Sequence, residues 1–402
     1  MMCTFQADEV MRDQPAEISY EKKLFSKKYY IMTPGPTEVP HEVLKTIISD
    51  EALLPNYWEI YDVDVKLVKK LLNNDGEVII MGGGATVGLE ALVSTLINEK
   101  TRTLILSAGY FGEVIAKLIK IYHGKVDVIR ERQGKVPSLE AIEKYLSKNN
   151  VDYVVFAHCE TSAGTIFDIE EVARVVKENS HAKIIVDAVS TAGAIPINVN
   201  SDKSGIDAVV FGVQKALNMP PGLAIVGLSK NIVEEMEKLE PKGYYLNLKL
   251  WLDYWKIKRI LPSTPPINLL YGLKVSLERI FSEGLQNVYR RHLFVSKKLR
   301  NALRKMGLRI VAESEEIASP TVTAVYMPNG VDSETVVNDM WRKYGVLVAT
   351  ALGEISNRAI RIGHMGITAT LDNIFVVTYA LSKTLANRGV NINIENALSS
   401  LT

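Results

Sequence analysis

Two charged residues, Asp187 and Lys215, stand directly after strongly apolar stretches of the sequence. Asp187 ends the run 184–187, and Lys215 follows the mostly apolar run 208–214. A lone lysine is usually a solvated surface group, but the residues around Lys215 are nearly all apolar or small, which indicates partial removal from water. Desolvation lowers the pKa of an amine and makes it a better nucleophile. An aspartate at a neighbouring strand end can keep a ring nitrogen protonated.

A glycine-rich loop, residues 82–88, follows the first strong strand and precedes a helix. Glycines let the backbone approach an anion closely, and a helix N-terminus offers free N–H groups. Gly82, Gly84 and Gly88 nearly match a dinucleotide-binding fingerprint, but the spacing is loose by one residue. Ser107 and Ala108 stand where that site needs an acidic residue. The loop therefore predicts a site for a single phosphate group, with a turn that binds no ligand as the alternative.

A phosphate loop, a strand-end aspartate and a desolvated lysine together suit one cofactor better than any other. Pyridoxal 5'-phosphate (PLP) carries a phosphate, a pyridine nitrogen that is protonated during its electron-sink chemistry, and an aldehyde that reacts with a lysine amine. The residues therefore predict a PLP-dependent enzyme in which Lys215 and Asp187 are the catalytic residues.

Short β-branched runs alternate with helix-sized segments over the first two-thirds of the chain. This alternation predicts a mostly parallel sheet with helices on both faces, in which ligands bind outside the carboxyl ends of the strands. The predicted strands are Glu77–Met81, Arg102–Leu106, Val126–Arg130, Asp152–Ala157, Lys183–Asp187, Asp207–Phe211 and Leu223–Gly227. The predicted helices include Gly88–Asn98, Gly112–Tyr122, Ser138–Lys148 and Ile169–Glu178.

The pattern changes after about residue 265. Pro265 and Pro266 end one element, and a long helical pattern follows from Asn268 to about Met306, with a break near Gly284. The strands predicted beyond it are Leu308–Val311, Thr321–Tyr326, Val346–Ala349 and Ala359–Ile362. We expect a polar N-terminal arm at 1–28, a large cofactor-binding domain at 29–287 and a small α+β domain at 288–402.

Composition argues against several other classes of function. The 402 residues carry 47 Lys plus Arg and 46 Asp plus Glu, which argues against a broad basic surface for nucleic acid or an anionic membrane. The two cysteines, Cys3 and Cys159, cannot form a disulfide framework or a cysteine-only metal site. No apolar stretch approaches the length of a membrane span, and the acidic first 28 residues resemble no targeting peptide. We expect a cytoplasmic protein without a bound metal.

The motifs that carry the chemistry resemble those of the class V aminotransferases of fold type I, in particular the serine–pyruvate and alanine–glyoxylate aminotransferase group. The resemblance runs from TPGPT at 33–37 to RIG at 361–363, and it is most specific in VDAVSTAG at 186–193 and GVQKALNMPPG at 212–222. It implies a fold type I PLP-dependent transferase, with a large, mostly parallel, seven-stranded α/β/α domain and a smaller α+β C-terminal domain. It also implies a homodimer with composite active sites.

The resemblance assigns roles to individual residues. Lys215 would hold PLP as a Schiff base and move the proton between substrate and cofactor, while Asp187 would pair with the pyridinium nitrogen. Phe111 and Val189 would pack on opposite faces of the cofactor ring, with Ser162 beside it. The implied cofactor-binding residues are Gly84, Ala85, Thr86, Phe111, Ser162, Asp187, Val189, Gln214, Lys215 and Thr264.

The resemblance also implies a substrate-binding set. Arg361 would bind the substrate α-carboxylate through two hydrogen bonds from its planar guanidinium group, and Gly35 belongs to the same set. An arginine paired at a domain interface is the alternative for Arg361. Thr264 matches a residue that reaches the phosphate of the neighbouring subunit's cofactor, which is the reason for expecting a homodimer.

The chain departs from the family pattern at three places. Leu261 stands where several relatives carry a tyrosine that contacts the phosphate, and Thr86 stands where many carry histidine. The segment Leu53–Trp58, near the expected substrate mouth, differs among family members. The identity of the substrate is therefore the least determined part of the prediction.

Together these residues predict ping-pong transfer of the amino group of alanine or serine to glyoxylate or pyruvate. A 2-aminoethylphosphonate–pyruvate or ureidoglycine–glyoxylate aminotransferase would share nearly every motif. A cysteine desulfurase needs a thiol on a loop of the second domain, and the sequence has no cysteine after Cys159. A dinucleotide oxidoreductase lacks its strand-end acid, and a PLP-fold protein without catalysis is disfavoured by the intact Asp187, Lys215 and Arg361.

Overall fold

The computed structural model describes residues 29–49, 57–200, 202, 205–240 and 242–401. The predicted N-terminal arm lies outside these ranges, as do residues 53–56 of the segment near the expected substrate mouth. In the described ranges, no helix is both long and apolar enough to cross a membrane.

The described chain alternates strands and helices over most of its length. Its strands are β1 (Tyr30–Ile31), β2 (Glu77–Gly82), β3 (Arg102–Ser107), β4 (Lys125–Arg130), β5 (Tyr153–Ala157), β6 (Cys159–Glu160), β7 (Thr165–Ile166), β8 (Lys183–Asp187), β9 (Ala208–Gly212), β10 (Leu223–Leu228), β11 (Val322–Tyr326), β12 (Val346–Leu347), β13 (Ala349–Thr350) and β14 (Ala359–Gly363). Its α-helices are α1 (His41–Ile47), α2 (Tyr57–Leu71), α3 (Ala85–Leu96), α4 (Tyr110–Ile121), α5 (Leu139–Leu146), α6 (Ile169–Asn179), α7 (Lys230–Met236), α8 (Leu248–Asp253), α9 (Ile267–Glu283), α10 (Leu285–Lys305), α11 (Ser333–Tyr344), α12 (Leu371–Ala386) and α13 (Ile394–Ser399). A π-helical turn occupies Tyr254–Lys258, and 3₁₀ turns occupy Gly353–Ile355 and Gly366–Thr368.

The central sheet has the strand order β2-β10-β9-β8-β5-β3-β4. Neighbouring strands are parallel except at β10, which runs antiparallel to both β2 and β9. Helices make most of the connections between parallel strands, whereas the loop 213–222 leads from β9 to β10 without a helix, so the chain turns back on itself. Strands β9 and β10 are buried along their whole length, as expected for a sheet covered on both faces. The predicted α/β fold with a mostly parallel sheet is confirmed.

All seven strands predicted for this sheet are present, with ends displaced by no more than a residue or two. The largest difference concerns α3, which begins at Ala85 rather than at Gly88. Gly84 is the N-cap residue with an extended backbone, so the helix starts inside the glycine-rich loop. The first turn, residues 85–88, therefore lies in the stretch that the sequence pattern assigned to the loop.

A second, smaller unit contains the three-stranded antiparallel sheet β11-β14-β13 and the parallel pair β1-β12. Two predictions for this unit are wrong in detail. The predicted strand Leu308–Val311 is not part of a sheet and forms only an isolated bridge between Ile310 and Val325. The predicted strand Val346–Ala349 is divided into β12 and β13, because the chain changes its pairing partner at Val348.

The two units have separate hydrophobic cores. The first core lies around the central sheet, and the second joins α10, α11, α12 and β14. Helices α9 and α10 are separated at Gly284, whose φ of +85° is in the region that favours glycine. Met32 belongs to the second core, and β1 pairs with β12, whereas the sequence-based division placed residues 29–32 in the large domain. The boundary at 287/288 itself stays a prediction.

Two fully buried histidines hold the second unit together in their neutral form. His292 donates from Nδ1 to the Val288 carbonyl (2.7 Å) and accepts at Nε2 from the Gly366 N–H (2.9 Å). His364 Nε2 lies 2.8 Å from the Thr323 hydroxyl. Burial lowers the pKa of His292 to about 4 and that of His364 to about 3. Both imidazoles therefore stay uncharged in the folded protein at pH values where an exposed imidazole is protonated.

We predict that His292 and His364 lower the free energy of unfolding as the pH falls from about 6.5 towards 4. Below the ordinary histidine pKa of 6.5, the unfolded chain binds protons that the folded chain does not, so the free energy of unfolding falls by up to about 1.4 kcal/mol per pH unit for each histidine. Urea unfolding between pH 7 and pH 5 measures this slope. His364→Asn should flatten it, and the exposed His181→Asn should not. Equal slopes in the two variants would contradict the assignment.

Candidate active site

A cavity of about 430 Å³ lies at the carboxyl edge of the central sheet. Its walls come from the segments that follow β2, β5, β8 and β9, together with one side of α4. The predicted residues that line it are Gly84, Ala85, Thr86, Phe111, Asp187, Val189, Gln214 and Lys215. Eight residues selected from the sequence are therefore brought together in one cavity, at the place where open α/β sheets bind their ligands.

Lys215 enters the cavity from the loop after β9. Its side chain is partly buried, and Nζ donates to the backbone carbonyl of Pro34. Burial lowers the pKa of Lys215 to about 8, and the positive charge of Arg361 acts in the same direction. The unprotonated fraction of this amine near neutral pH is therefore larger than for an ordinary lysine, and the unprotonated form is the one that acts as a nucleophile or a base.

Asp187 is the last residue of β8 and carries a carboxylate into the same cavity. One of its oxygens, Oδ1, accepts from the Val189 N–H (2.9 Å). Burial nevertheless raises the pKa of Asp187 to about 6, against the opposing effects of that hydrogen bond and of Lys215. A positively charged group placed beside this carboxylate would relieve the cost of burying it.

The glycine-rich loop provides the N-terminus of α3 to the cavity. Gly84 and Thr86 are exposed, and a side chain built at Gly84 would meet no atom within 4 Å, so space is open in front of the first helical turn. The N–H groups of a first helical turn have no acceptor within their own helix. Together with the helix dipole, they suit this end of the cavity to an anion.

Gly88 serves packing rather than ligand binding. A Cβ at this position would lie 2.8 Å from Val210 and 3.1 Å from Val226, both on the strands below α3. The third glycine of the apparent dinucleotide fingerprint therefore exists because α3 approaches β9 and β10 closely.

Ser162 and Gln214 differ in part from their predicted settings. Ser162 is fully buried, is not among the residues that line the cavity, and accepts a hydrogen bond from Gln133 Nε2 (2.8 Å). Thr161 lines the cavity instead and shares a 2.6 Å hydrogen bond with Ser190. Gln214 lines the cavity, and its buried Oε1 has no hydrogen-bond partner in the described part of the chain. The amide of Gln214 thus has spare hydrogen-bonding capacity at this site.

Arg361 approaches the cavity from β14 of the smaller unit. Its Nε donates to the Thr350 carbonyl (2.8 Å) and one terminal nitrogen to the Thr161 carbonyl (3.4 Å). Burial lowers the pKa of the guanidinium to about 10, which leaves it charged at neutral pH. Arg361 does not line the cavity itself, but it contacts Thr161, which does.

Gly35 and Thr264 have very different positions. Gly35 has a φ of +110°, and a Cβ there would overlap the side chain of Lys215, so Gly35 makes room for the lysine. Thr264 is exposed and does not reach the cavity of its own chain, while Leu261 is buried.

Tyr245, not selected from the sequence as a site residue, donates to the Gly82 carbonyl (2.7 Å) and so fixes the start of the glycine-rich loop.

One buried acid near the site was missed in the sequence. Glu160 is 1% exposed and accepts from the backbone N–H groups of Phe111 (2.9 Å), Gly112 (3.2 Å) and Ser162 (3.1 Å). A charged residue between Cys159 and two hydroxyl residues looks like part of a polar loop. Its sequence signal was its position shortly after the end of the predicted strand Asp152–Ala157.

Residues 56–373 match the family model described as Aminotransferase class-V. The chain belongs to this family. Class V aminotransferases are PLP-dependent transaminases, and this aminotransferase has the fold and the strand-end charges expected from the resemblance in its sequence.

Curated relatives cover most of this aminotransferase. An uncharacterized aminotransferase of Methanocaldococcus jannaschii is 33% identical over 86% of this chain and 90% of its own length. The pyridoxamine–pyruvate transaminase of Mesorhizobium japonicum is 31% identical over 84% of this chain and 86% of its own. The serine–glyoxylate aminotransferase of Arabidopsis thaliana is 28% identical, with the same two coverages.

Solved structures superimpose on this aminotransferase along nearly the whole chain. Pyridoxamine–pyruvate aminotransferase from Mesorhizobium loti superimposes with a TM-score of 0.88 at 28% identity, covering 92% of this chain and 95% of that one. Alanine–glyoxylate aminotransferase from a Nostoc species gives a TM-score of 0.84 at 28% identity, with coverages of 90% and 97%. The fold type I assignment is confirmed.

We predict that Gly88→Val lowers the free energy of unfolding by about 1–3 kcal/mol, because the added methyl groups must displace Val210 and Val226. Urea unfolding of the cofactor-free protein measures the change. Gly84→Ser is the matched control, since it places a favourable N-cap residue in open space. A Gly88→Val protein as stable as wild type would contradict the packing role.

Proposed function

We propose that this aminotransferase binds PLP in the cavity and moves the amino group of alanine or serine to glyoxylate or pyruvate. The observation that supports this most strongly is the meeting of Lys215 and Asp187 in one cavity with the N-terminus of α3. An amine of lowered pKa, a buried carboxylate and an anion-binding helix end are the three groups that PLP needs.

The residues present fit the cofactor. The first turn of α3 would hold the phosphate, and Asp187 would face the pyridinium nitrogen, whose positive charge offsets the buried carboxylate. Phe111 and Val189 would flank the ring from opposite sides. The NH₂ group of Gln214, rather than its unpartnered oxygen, would donate to the phosphate. When bound, PLP supplies the electron sink that stabilises negative charge at the substrate α-carbon.

Lys215 and Arg361 would divide the remaining tasks. Lys215 would take the proton from the α-carbon and return it on the cofactor side, which its pKa of about 8 permits near neutral pH. Arg361 would bind the α-carboxylate while β14 and the Thr350 carbonyl keep its guanidinium group in place. Fixing the carboxylate fixes the position of the α-hydrogen relative to the Lys215 amine.

A small substrate is supported by the relatives. The relatives include enzymes named for serine with glyoxylate and for alanine with glyoxylate. Aminoethylphosphonate and ureidoglycine remain the alternative donors. Desulfuration is disfavoured, because Cys159 is buried and its thiol donates to the Ser319 hydroxyl rather than standing on an exposed loop.

A second copy of the chain would complete the site, in a cytoplasmic homodimer. Thr264 is exposed and does not line the cavity of its own chain, and large apolar side chains close to it in sequence are also exposed. Ile257 is 76% exposed and Ile260 43%, so apolar surface for a second copy lies near Thr264 in the sequence. These residues support an interface through which Thr264 would reach the partner's phosphate site.

Purified protein incubated with PLP should show a visible absorption band, and Lys215→Ala should lose it. Asp187→Asn should retain the band but lose activity by roughly 100-fold or more, because a neutral amide does not keep the ring nitrogen protonated. Lys117→Ala is the control, because Lys117 also lines the cavity but is exposed. Protein that stays colourless with PLP and binds a nicotinamide cofactor instead would overturn the proposal.

For Arg361→Ala we expect the apparent KM for the amino donor to rise on the order of 100-fold with cofactor affinity unchanged, since about two charge-assisted hydrogen bonds are lost. Single-turnover reactions with alanine, serine, aspartate, 2-aminoethylphosphonate and ureidoglycine measure donor choice in wild type and variant. Loss of cofactor from Arg361→Ala would make its role structural. Reaction of wild type with a phosphonate donor, but not with alanine or serine, would refute the substrate assignment.

A further inference from the structure

A buried polar network connects the start of α4 with the smaller unit. Its first member is the carboxylate of Glu160, which accepts from the N–H groups of Phe111, Gly112 and Ser162. The first two of these belong to the first turn of α4, so Glu160 caps the helix that carries Phe111 into the cavity. Although these hydrogen bonds favour the charged form, burial keeps the pKa of Glu160 above its ordinary value.

Ser162 is the second member of the network. It is fully buried, and its hydroxyl donates to Glu160 while accepting from Gln133 Nε2 (2.8 Å). The Tyr110 N–H approaches the same oxygen at 3.4 Å. The hydroxyl therefore uses its hydrogen and both lone pairs inside the protein.

Gln133 is the third member, and it also contacts the smaller unit. Its Nε2 donates both to Ser162 and to the backbone carbonyl of Leu352 (2.9 Å). Gln133 is 8% exposed, and Gly353 packs directly against its amide, where a Cβ would lie 3.1 Å from Oε1. A hydrogen bond to a carbonyl 219 residues away thus joins the loop after β4 to the loop after β13.

The end of β13 and the loop after it also hold Arg361 in place. Thr350 accepts from Arg361 Nε, and Ala351 donates its N–H to the Ala359 carbonyl (2.8 Å) two residues before Arg361 on β14. Hydrogen bonds therefore run from the helix end beside Phe111, through Glu160, Ser162 and Gln133, to the Leu352 carbonyl. From Leu352 the covalent chain leads in two residues to Thr350, which accepts from Arg361.

We propose that Gln133 is a positioning residue for Arg361. By fixing the Leu352 carbonyl against the large unit, it sets the distance between the α-carboxylate clamp and the cofactor cavity. The inference rests on the proposed function, because Arg361 needs a fixed position only if it binds the substrate that reacts at Lys215. Both hydrogen bonds that the Gln133 amide donates lie in a buried site. Water therefore does not take their place when they are removed.

The test uses Gln133→Met, which keeps the length of the side chain and removes its hydrogen bonds. Gln286→Met is the matched control, because Gln286 is exposed at the start of α10. Hydrogen exchange of the Ala351 amide is measured by mass spectrometry in protein with and without PLP. We expect exchange about tenfold faster in Gln133→Met and unchanged in Gln286→Met. Exchange at the wild-type rate in both variants would overturn the proposal.

Steady-state kinetics separate positioning from general destabilisation. Gln133→Met should raise the apparent KM for the amino donor about tenfold, with kcat changed less than threefold and with PLP affinity unchanged. In an Arg361→Lys background, the same substitution should have less than a twofold effect on KM, because the lysine no longer uses the geometry that Gln133 fixes. A rise of equal size in both backgrounds would mean that Gln133 does not act through Arg361.

Failure of the proposed function gives a different result. If the wild-type protein transfers no amino group, the function is wrong, while the exchange of the Ala351 amide in the cofactor-free protein still decides whether Gln133 holds the loop. If wild type is active and Gln133→Met matches it in both KM and exchange, only the positioning role is refuted.

Discussion

Burial of two opposite charges in one cavity is the constraint on which the site depends. Asp187 and Lys215 are partly buried, and burial drives each towards its neutral form, with pKa values of about 6 and about 8. In the described part of the chain, neither side chain forms a salt bridge. Each makes a single hydrogen bond to the backbone. A ligand that brings a cation to one end and an electrophile to the other would satisfy both groups at once.

The architecture explains how the two charges come to lie together. Strands β8 and β9 are adjacent and parallel, so their carboxyl ends, and the residues just after them, meet at the same edge of the sheet. The closely packed α3 brings its N-terminus to that edge because Gly88 allows it to approach β9 and β10. The smaller unit then adds a single guanidinium group, and the hydrogen bonds through Gln133 connect the two units beside the cavity.

Residues that stand out by the residues next to them in the sequence were predictable from the sequence. A charge after an apolar run identified Asp187 and Lys215, and the alternation of strands and helices identified the strands of the central sheet, although not their order in it. Glu160 and Gln133 were not predictable, because their importance comes from contacts with residues far along the chain, such as the bond from Gln133 to Leu352. The division of one predicted strand into β12 and β13 was missed for the same reason, since it depends on pairing with β1 and β14. Ser162 shows the converse case, in which the family motif identified the residue but not the neighbours that occupy its hydroxyl group.

The central claim is that Lys215 is the amine that PLP binds in this cavity. Borohydride reduction of the PLP-loaded protein fixes the cofactor to the amine that holds it, and peptide mass spectrometry then locates the modified residue. The account predicts one modified lysine, Lys215, with Lys117 on the same cavity wall left unmodified. Modification of Lys117 in place of Lys215, or protein that retains no cofactor after reduction, would contradict it.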